Sequence, residues 1–151
     1  MSKVYMKILA LALLTVTGLL SSCTKDDTTD TVQQQIESSL TSGTWRITKF
    51  IDSGNDETNH FSGYSFTFNS SGVLNSGNGT NNYAGTWSIT DSNSNDDSQE
   101  DLDFNILFSL TNDFADLSDD WDIISQSQTK IELIDISGGN GGTDYLTFEK
   151  N

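Results

Sequence analysis

Apart from its carboxylates, this sequence offers few residues able to do chemistry. Among 151 residues there is one histidine, His60, in a polar loop beside Phe61, and one cysteine, Cys23. A nucleophilic triad needs a base beside its nucleophile, and protein zinc sites draw on several His or Cys ligands. A single histidine supplies neither, and a single cysteine excludes both an internal disulfide and a Cys-rich metal framework. The 22 Asp and Glu residues could in principle include an acid–base pair for glycoside cleavage. Most fall in loops or on polar strand faces, where nothing marks one as buried and shifted in pKa, so no enzyme is expected. The densest run of acids is Asp91 to Asp101. Asp91, Asn93, Asn95 and Asp97 are its candidate metal ligands, because the first three fit the alternating oxygen donors that open a calcium loop. Asp96 stands where such a loop needs glycine and Leu102 where it needs a bidentate glutamate, so this is not an EF-hand. Oxygen-rich extracellular loops still bind calcium in the millimolar range, which makes calcium the only cofactor the sequence admits. The competing reading is a solvated hairpin loop.

Three tryptophans, Trp45, Trp87 and Trp121, could line a sugar- or lipid-binding surface, since aromatic faces stack on apolar ligand faces. Each lies in phase with other apolar residues of a strand, and Trp45 and Trp87 are therefore read as structural.

The N-terminus carries Lys3 and Lys7 without an acid, then an apolar run from Ile8 to Leu20, then Ser21 and Ser22 before Cys23. That is the layout of a secretory signal. A spanning helix takes about 20 apolar residues, and this run is shorter. Leu20-Ser21-Ser22-Cys23 resembles a bacterial lipobox, which implies that residues 1–22 are removed and that the Cys23 thiol carries lipid. Several acyl chains on one residue suffice for stable anchoring where a single chain does not. Thr24-Lys25-Asp26-Asp27 is similar to the lysine-plus-acids export signal of surface lipoproteins in Bacteroidetes-type bacteria. Asp27-Thr28-Thr29 and Asp30-Thr31-Val32 resemble the Asp-Thr-X acceptors of their O-glycosylation. The resemblance implies attachment to the outer membrane, facing outward; a solvated tether serves either way.

Two of the seven basic residues fall in the leader, leaving five against 22 acids and a net charge of −17. Nucleic acid and anionic head groups require clustered Lys and Arg and are therefore poor partners. There is no proline; turns are built from Gly, Asn, Ser, Asp and Thr. One helix is expected, Thr31 to Leu40, capped by Asp30, with Val32, Ile36 and Leu40 on one face. Gly43-Thr44-Trp45-Arg46-Ile47-Thr48 recurs as Gly85-Thr86-Trp87-Ser88-Ile89-Thr90, each alternating as a half-buried strand does. Further strands are expected at Tyr64–Phe68, Val73–Gly77, Leu102–Leu110, Trp121–Ser125, Lys130–Ile136 and Asp144–Lys150. About eight strands with hairpin-length connections predict an all-β, antiparallel up-and-down barrel or a sandwich.

The lipobox, the two Gly-Thr-Trp segments and the closing Leu146-Thr147-Phe148-Glu149-Lys150 together resemble the small lipocalin-like lipoproteins of Bacteroidetes-type bacteria. That resemblance favours the eight-stranded barrel. It divides the chain into a signal (1–22), a lipidated cysteine with polar tether and short helix (23–42), and a lipocalin-like barrel domain (43–151). In lipocalins the first-strand tryptophan closes the barrel base against an arginine near the last strand, whereas no arginine follows Arg46 here. The resemblance implies binding of a small apolar molecule. The expected function is a membrane-anchored module that binds such a ligand or presents its surface to a partner; the alternative is a calcium- or glycan-interacting accessory module of a larger surface uptake or adhesion system. Nothing in the sequence fixes an oligomeric state.

If Cys23 bears the lipid, Cys23→Ser leaves no strong membrane signal after processing. Metabolic labelling with palmitate is expected to mark the wild-type chain and not the variant; equal labelling would refute the lipobox reading.

Overall fold

A computed structural model describes residues 28–91, 101–136 and 142–151 of the chain. Within them, one helix, α1 (Thr28–Leu40), precedes the strands β1 (Trp45–Asp52), β2 (Asn55–Asp56), β3 (Ser65–Phe68), β4 (Val73–Gly77) and β5 (Asn82–Asp91). After these come β6 (Leu102–Leu107), β7 (Asp119–Gln126), β8 (Lys130–Asp135) and β9 (Asp144–Lys150). Sequential strands from β3 to β9 pair antiparallel, and β9 returns to pair with β1 from Trp45–Lys150 to Ile51–Tyr145. Eight strands thus close into the expected up-and-down barrel. β2 is a two-residue ribbon folded back on the end of β1.

The seam between β1 and β3 is narrow, with a single pairing, Trp45 to Phe66. Past that point a 3-10 turn, Thr58–Phe61, takes over from a strand. The Phe50 amide donates to Thr58 Oγ1 at 2.8 Å, and that hydroxyl donates to the Phe50 carbonyl at 3.3 Å. The backbone polar groups of Phe50 are satisfied in this way without a ladder, and Phe61 drops into the core.

Alternation fixes which side chains fill the barrel. Trp45, Ile47 and Phe50 of β1, Phe66 and Phe68 of β3, Trp87 and Ile89 of β5, Leu102, Phe104 and Ile106 of β6, and Leu146 and Phe148 of β9 all point inward and are buried. The helix places Ile36 and Leu40 on this core, with Val32 packed against it, as the spacing of four requires. It starts at Thr28, earlier than the expected Thr31, so position 30 lies within the helix and not before its first turn. The strand expected to reach Leu110 ends at Leu107. Ser118 Oγ accepts from the Phe108 amide at 2.8 Å and donates to its carbonyl at 3.3 Å, replacing the next rung of the ladder with a side chain.

β5 changes partner midway, pairing with β4 through Thr86 and with β6 from Thr86 onward. A Cβ at the preceding Gly85 would lie 2.5 Å from the Leu107 carbonyl oxygen and 2.8 Å from the Phe108 ring. Only glycine permits that approach.

Phe68 touches both repeat tryptophans, with ring centroids 6.4 Å from Trp45 and 5.4 Å from Trp87, each nearly perpendicular. Truncation of a buried aromatic costs about 3–5 kcal/mol. Trp45→Ala and Phe68→Ala are each expected to destabilise the domain by that amount in urea titration, and the double variant by less than the sum because the two rings share a contact. Full additivity would show that they do not form one packing unit.

Candidate functional site

The barrel interior is occupied by the protein's own rings. Phe68 lies 5.7 Å from Phe104 and 5.4 Å from Phe148, and Phe66 lies 5.3 Å from Phe148. What the molecule offers a partner is therefore its two ends and its walls.

One end is covered by α1. Trp45 Nε1 donates to the Leu40 carbonyl at 2.9 Å, Gln33 Nε2 to the Ile89 carbonyl at 3.1 Å, and Trp87 Nε1 to the Asn69 carbonyl at 2.9 Å. The helix thus lies across the barrel mouth, with Leu40 beside β1 and Gln33 beside β5. Trp45 is 1% exposed and Trp87 7%, and their rings pack against core phenylalanines. The last strand delivers a cation to the first tryptophan: Lys150 Nζ sits 5.1 Å above the Trp45 ring, within cation–π range. Sequence reasoning looked for an arginine at this place and passed over the lysine. Two surface grooves flank α1. One, of about 620 Å³, is bordered by Gln34, Glu37, Ser38, Ser70 and Ser71; the other, of about 530 Å³, by Gln34, Gln35, Ser39, Gln126 and Gln128. Among the described residues, Glu37 is the only charged one lining either groove.

The opposite end is closed by two 3-10 turns, Thr58–Phe61 and Asp113–Leu117. Phe114 is the plug, with ring centroids 5.4 Å from Phe61, 5.0 Å from Tyr64, 4.6 Å from Tyr83 and 5.2 Å from Phe108. Acids surround it. Burial raises the Asp116 pKa above the ordinary carboxylate value, and the charges of Asp52 and Asp113 raise it further against the opposing effect of His60. His60 Nδ1 lies 3.7 Å from Glu57 and 3.8 Å from Asp113, which places the lone histidine between the two turns. Asp135 and Asp144 are buried opposite one another at the β8–β9 end, and Asp144 Oδ1 accepts the Ser53 amide at 2.6 Å. Asp119, at the start of β7, has its pKa pushed up to about 6, first by burial and then by its hydrogen-bonded neighbour Asp120 and the charge of Asp135.

Charge is spread unevenly over the walls. Asp103 on β6 stands directly opposite Asp122 on β7; burial, then Asp122, Asp120 and Asp91, raises its pKa. The four Lys and Arg residues among those described lie on β8, β9 and β1, of which β8 pairs directly with β7. Arg46 pairs with Glu149 at 3.5 Å, Lys130 with Glu132 at 2.6 Å, and Lys49 Nζ lies 4.4 Å above the Tyr145 ring.

Of the calcium-ligand candidates, Asp91 ends β5 at the surface, whereas Asn93, Asn95 and Asp97 lie outside the described residues, as does Cys23. Among the described residues no three His, Cys, Asp or Glu side chains are grouped to hold a metal ion.

Comparison with known proteins gives no matching family model and no matching curated protein. A solved structure similar to this chain is that of a DUF4847 family protein from Bacteroides vulgatus ATCC 8482. The two share 17% identity over 77% of this chain and 97% of that one, with a TM-score of 0.49.

The raised pKa of Asp119 fixes the sign of a pH effect. Between its ordinary value of 3.8 and about 6 the folded protein holds a proton that the unfolded chain has released, so this group's contribution to stability falls as pH rises through that window. Asp119→Asn is expected to flatten the slope of melting temperature between about pH 4 and 6.5. At pH 7 it should raise stability by about 1 kcal/mol, discounted for the partial exposure of the site. An unchanged pH profile would exclude Asp119 as its source.

Proposed function

We propose that the chain is a lipocalin-like lipoprotein, anchored through Cys23 to the outer membrane and facing outward, whose barrel serves as an interaction module and not as a ligand container. The observation that carries this reading is the filled interior. Eight strands give a barrel just wide enough to be packed by side chains or to hold one small ligand, and here Phe66, Phe68, Phe104, Phe148 and Trp87 occupy that space in mutual contact. A hydrophobic guest would have to displace several buried rings, each at a cost of a few kcal/mol. Recognition then falls to surface chemistry, which is acidic at the turn end, along β6 and β7 and at Asp91 beside the helix, with the cations gathered among glutamates on β8, β9 and β1.

Two measurements test the proposal. Titration of the soluble domain with a long-chain fatty acid, followed by tryptophan fluorescence, is expected to give no saturable change, because Trp45 and Trp87 report on the interior. Protease added to intact cells is expected to degrade the mature chain while sparing periplasmic markers. A saturable one-to-one transition would return the interior to the role of ligand site, and resistance on intact cells would refute the outward orientation.

A further inference from the structure

We propose that the outer wall of β3 and β4, where it meets the turn end, binds a neutral glycan. The carboxamides of Asn75, Asn81 and Asn82 supply its hydrogen bonds, and Tyr64 and Tyr83 its stacking rings. This rests on the reading of the barrel as an interaction module and names the chemistry of its partner. A surface groove of about 420 Å³ runs along this wall, bordered by Ser65, Thr67, Asn75, Asn82 and Tyr83, and no charged residue among those described lines it. Strand register sets these groups in two neighbouring rungs, Ser65, Gly77 and Asn82 in one and Thr67 and Asn75 in the next. Hydroxyls and amides therefore repeat roughly 5 Å apart across the strands and 7 Å along them, within reach of the hydroxyls of one sugar ring and its neighbour. Gly77 keeps the first rung open. A Cβ there would lie 2.6 Å from Asn82 Oδ1, so any larger residue would displace the carboxamide that lies across it.

The groove ends at the β4–β5 turn, and the turn leads to the tyrosines. Asn78 Oδ1 accepts from the Thr80 and Asn81 amides at 3.0 and 2.8 Å, which fixes the loop. Asn81 Nδ2 then donates to the Tyr64 hydroxyl at 3.3 Å. Tyr64 and Tyr83 lie 6.0 Å apart with their rings inclined by 33°. Both are half-buried, braced on Phe114. The apolar C–H face of a pyranose stacks on such rings while its hydroxyls take up amides and hydroxyls nearby. Charge selects the kind of sugar. Glu57, Asp113 and Asp116 stand at this end, and Asp113 acts on the Tyr83 hydroxyl, so uronic acids and sulfated sugars are repelled. A purely apolar guest would leave the amides of the groove desolvated and unpaired. A neutral sugar avoids both penalties.

Saturation-transfer NMR and calorimetry test the site on the mature chain, kept water-soluble by Cys23→Ser. The probes are hexasaccharides of glucose, mannose and galactose, with a hexasaccharide of galacturonic acid as the anionic counterpart. At least one neutral sugar is expected to bind saturably, and the acidic one is not. Tyr64→Ala should weaken that binding about tenfold. Because Tyr64 also braces Phe114, Asn75→Ala and Asn82→Ala, both at exposed positions, are expected to weaken it severalfold at an unchanged melting temperature. Tyr145→Ala, which removes the half-buried tyrosine of β9, should leave it intact. The proposal is overturned if no neutral sugar binds, if the acidic sugar binds as well, or if the two asparagine variants bind like the wild type. None of these outcomes bears on the filled interior, which the fatty-acid titration tests, or on the anchor, which palmitate labelling tests.

Discussion

Filling the barrel is the constraint on which the rest of the structure depends. A closed eight-stranded sheet encloses a fixed volume, and Phe68 lies at the centre of what fills it here, in contact with Trp45, Trp87, Phe104 and Phe148. These partners come from the first, fifth, sixth and ninth strands, so one ring ties together segments from both ends of the domain. Edge-to-face pairs of this kind contribute about 0.5–1.5 kcal/mol beyond the area they bury. The tryptophan indoles are spent as well, each donating its N–H to a loop or helix carbonyl, so the largest side chains hold the termini of strands in place.

The same closure sends the charge outward. With the interior apolar, an acid-rich chain must place its carboxylates on walls and rims, and it does so unevenly. Asp103 opposite Asp122 is a like-charge cross-strand pair, an arrangement that costs stability, while the few cations are gathered on β8, β9 and β1 beside their two glutamates. The turn end adds partly buried carboxylates, Asp116 and Asp119, whose protons are held above the ordinary range. The end capped by α1 carries acids as well, with Asp91 closing β5 and Asp103 beside it on β6.

Much of the fold was legible in the residues themselves. Turn-forming residues around Val73–Gly77 and Asp144–Lys150 marked two strands to the residue, because Gly, Asn and Ser runs supply the turns that bound them. The two Gly-Thr-Trp segments predicted equivalent strands, and the apolar spacing of four predicted the face of α1. Where the reading missed, a side chain had replaced backbone pairing: Ser118 ends β6 at Leu107, and Thr58 takes up Phe50 where β3 does not reach. Hydroxyl groups that far away in sequence carry no periodic signal.

The sequence by itself determined the strand content, the inward face of each strand, the burial of Trp45 and Trp87, and the scarcity of groups for catalysis, since each follows from residue type and local period. Only the tertiary structure decided that the interior is filled, that Lys150 stands over Trp45, that His60 sits between two turns, and that the described cations gather on β8, β9 and β1. These depend on which strands become neighbours when β9 closes on β1. That closure joins the first strand of the domain to its last, a separation over which no local pattern carries information.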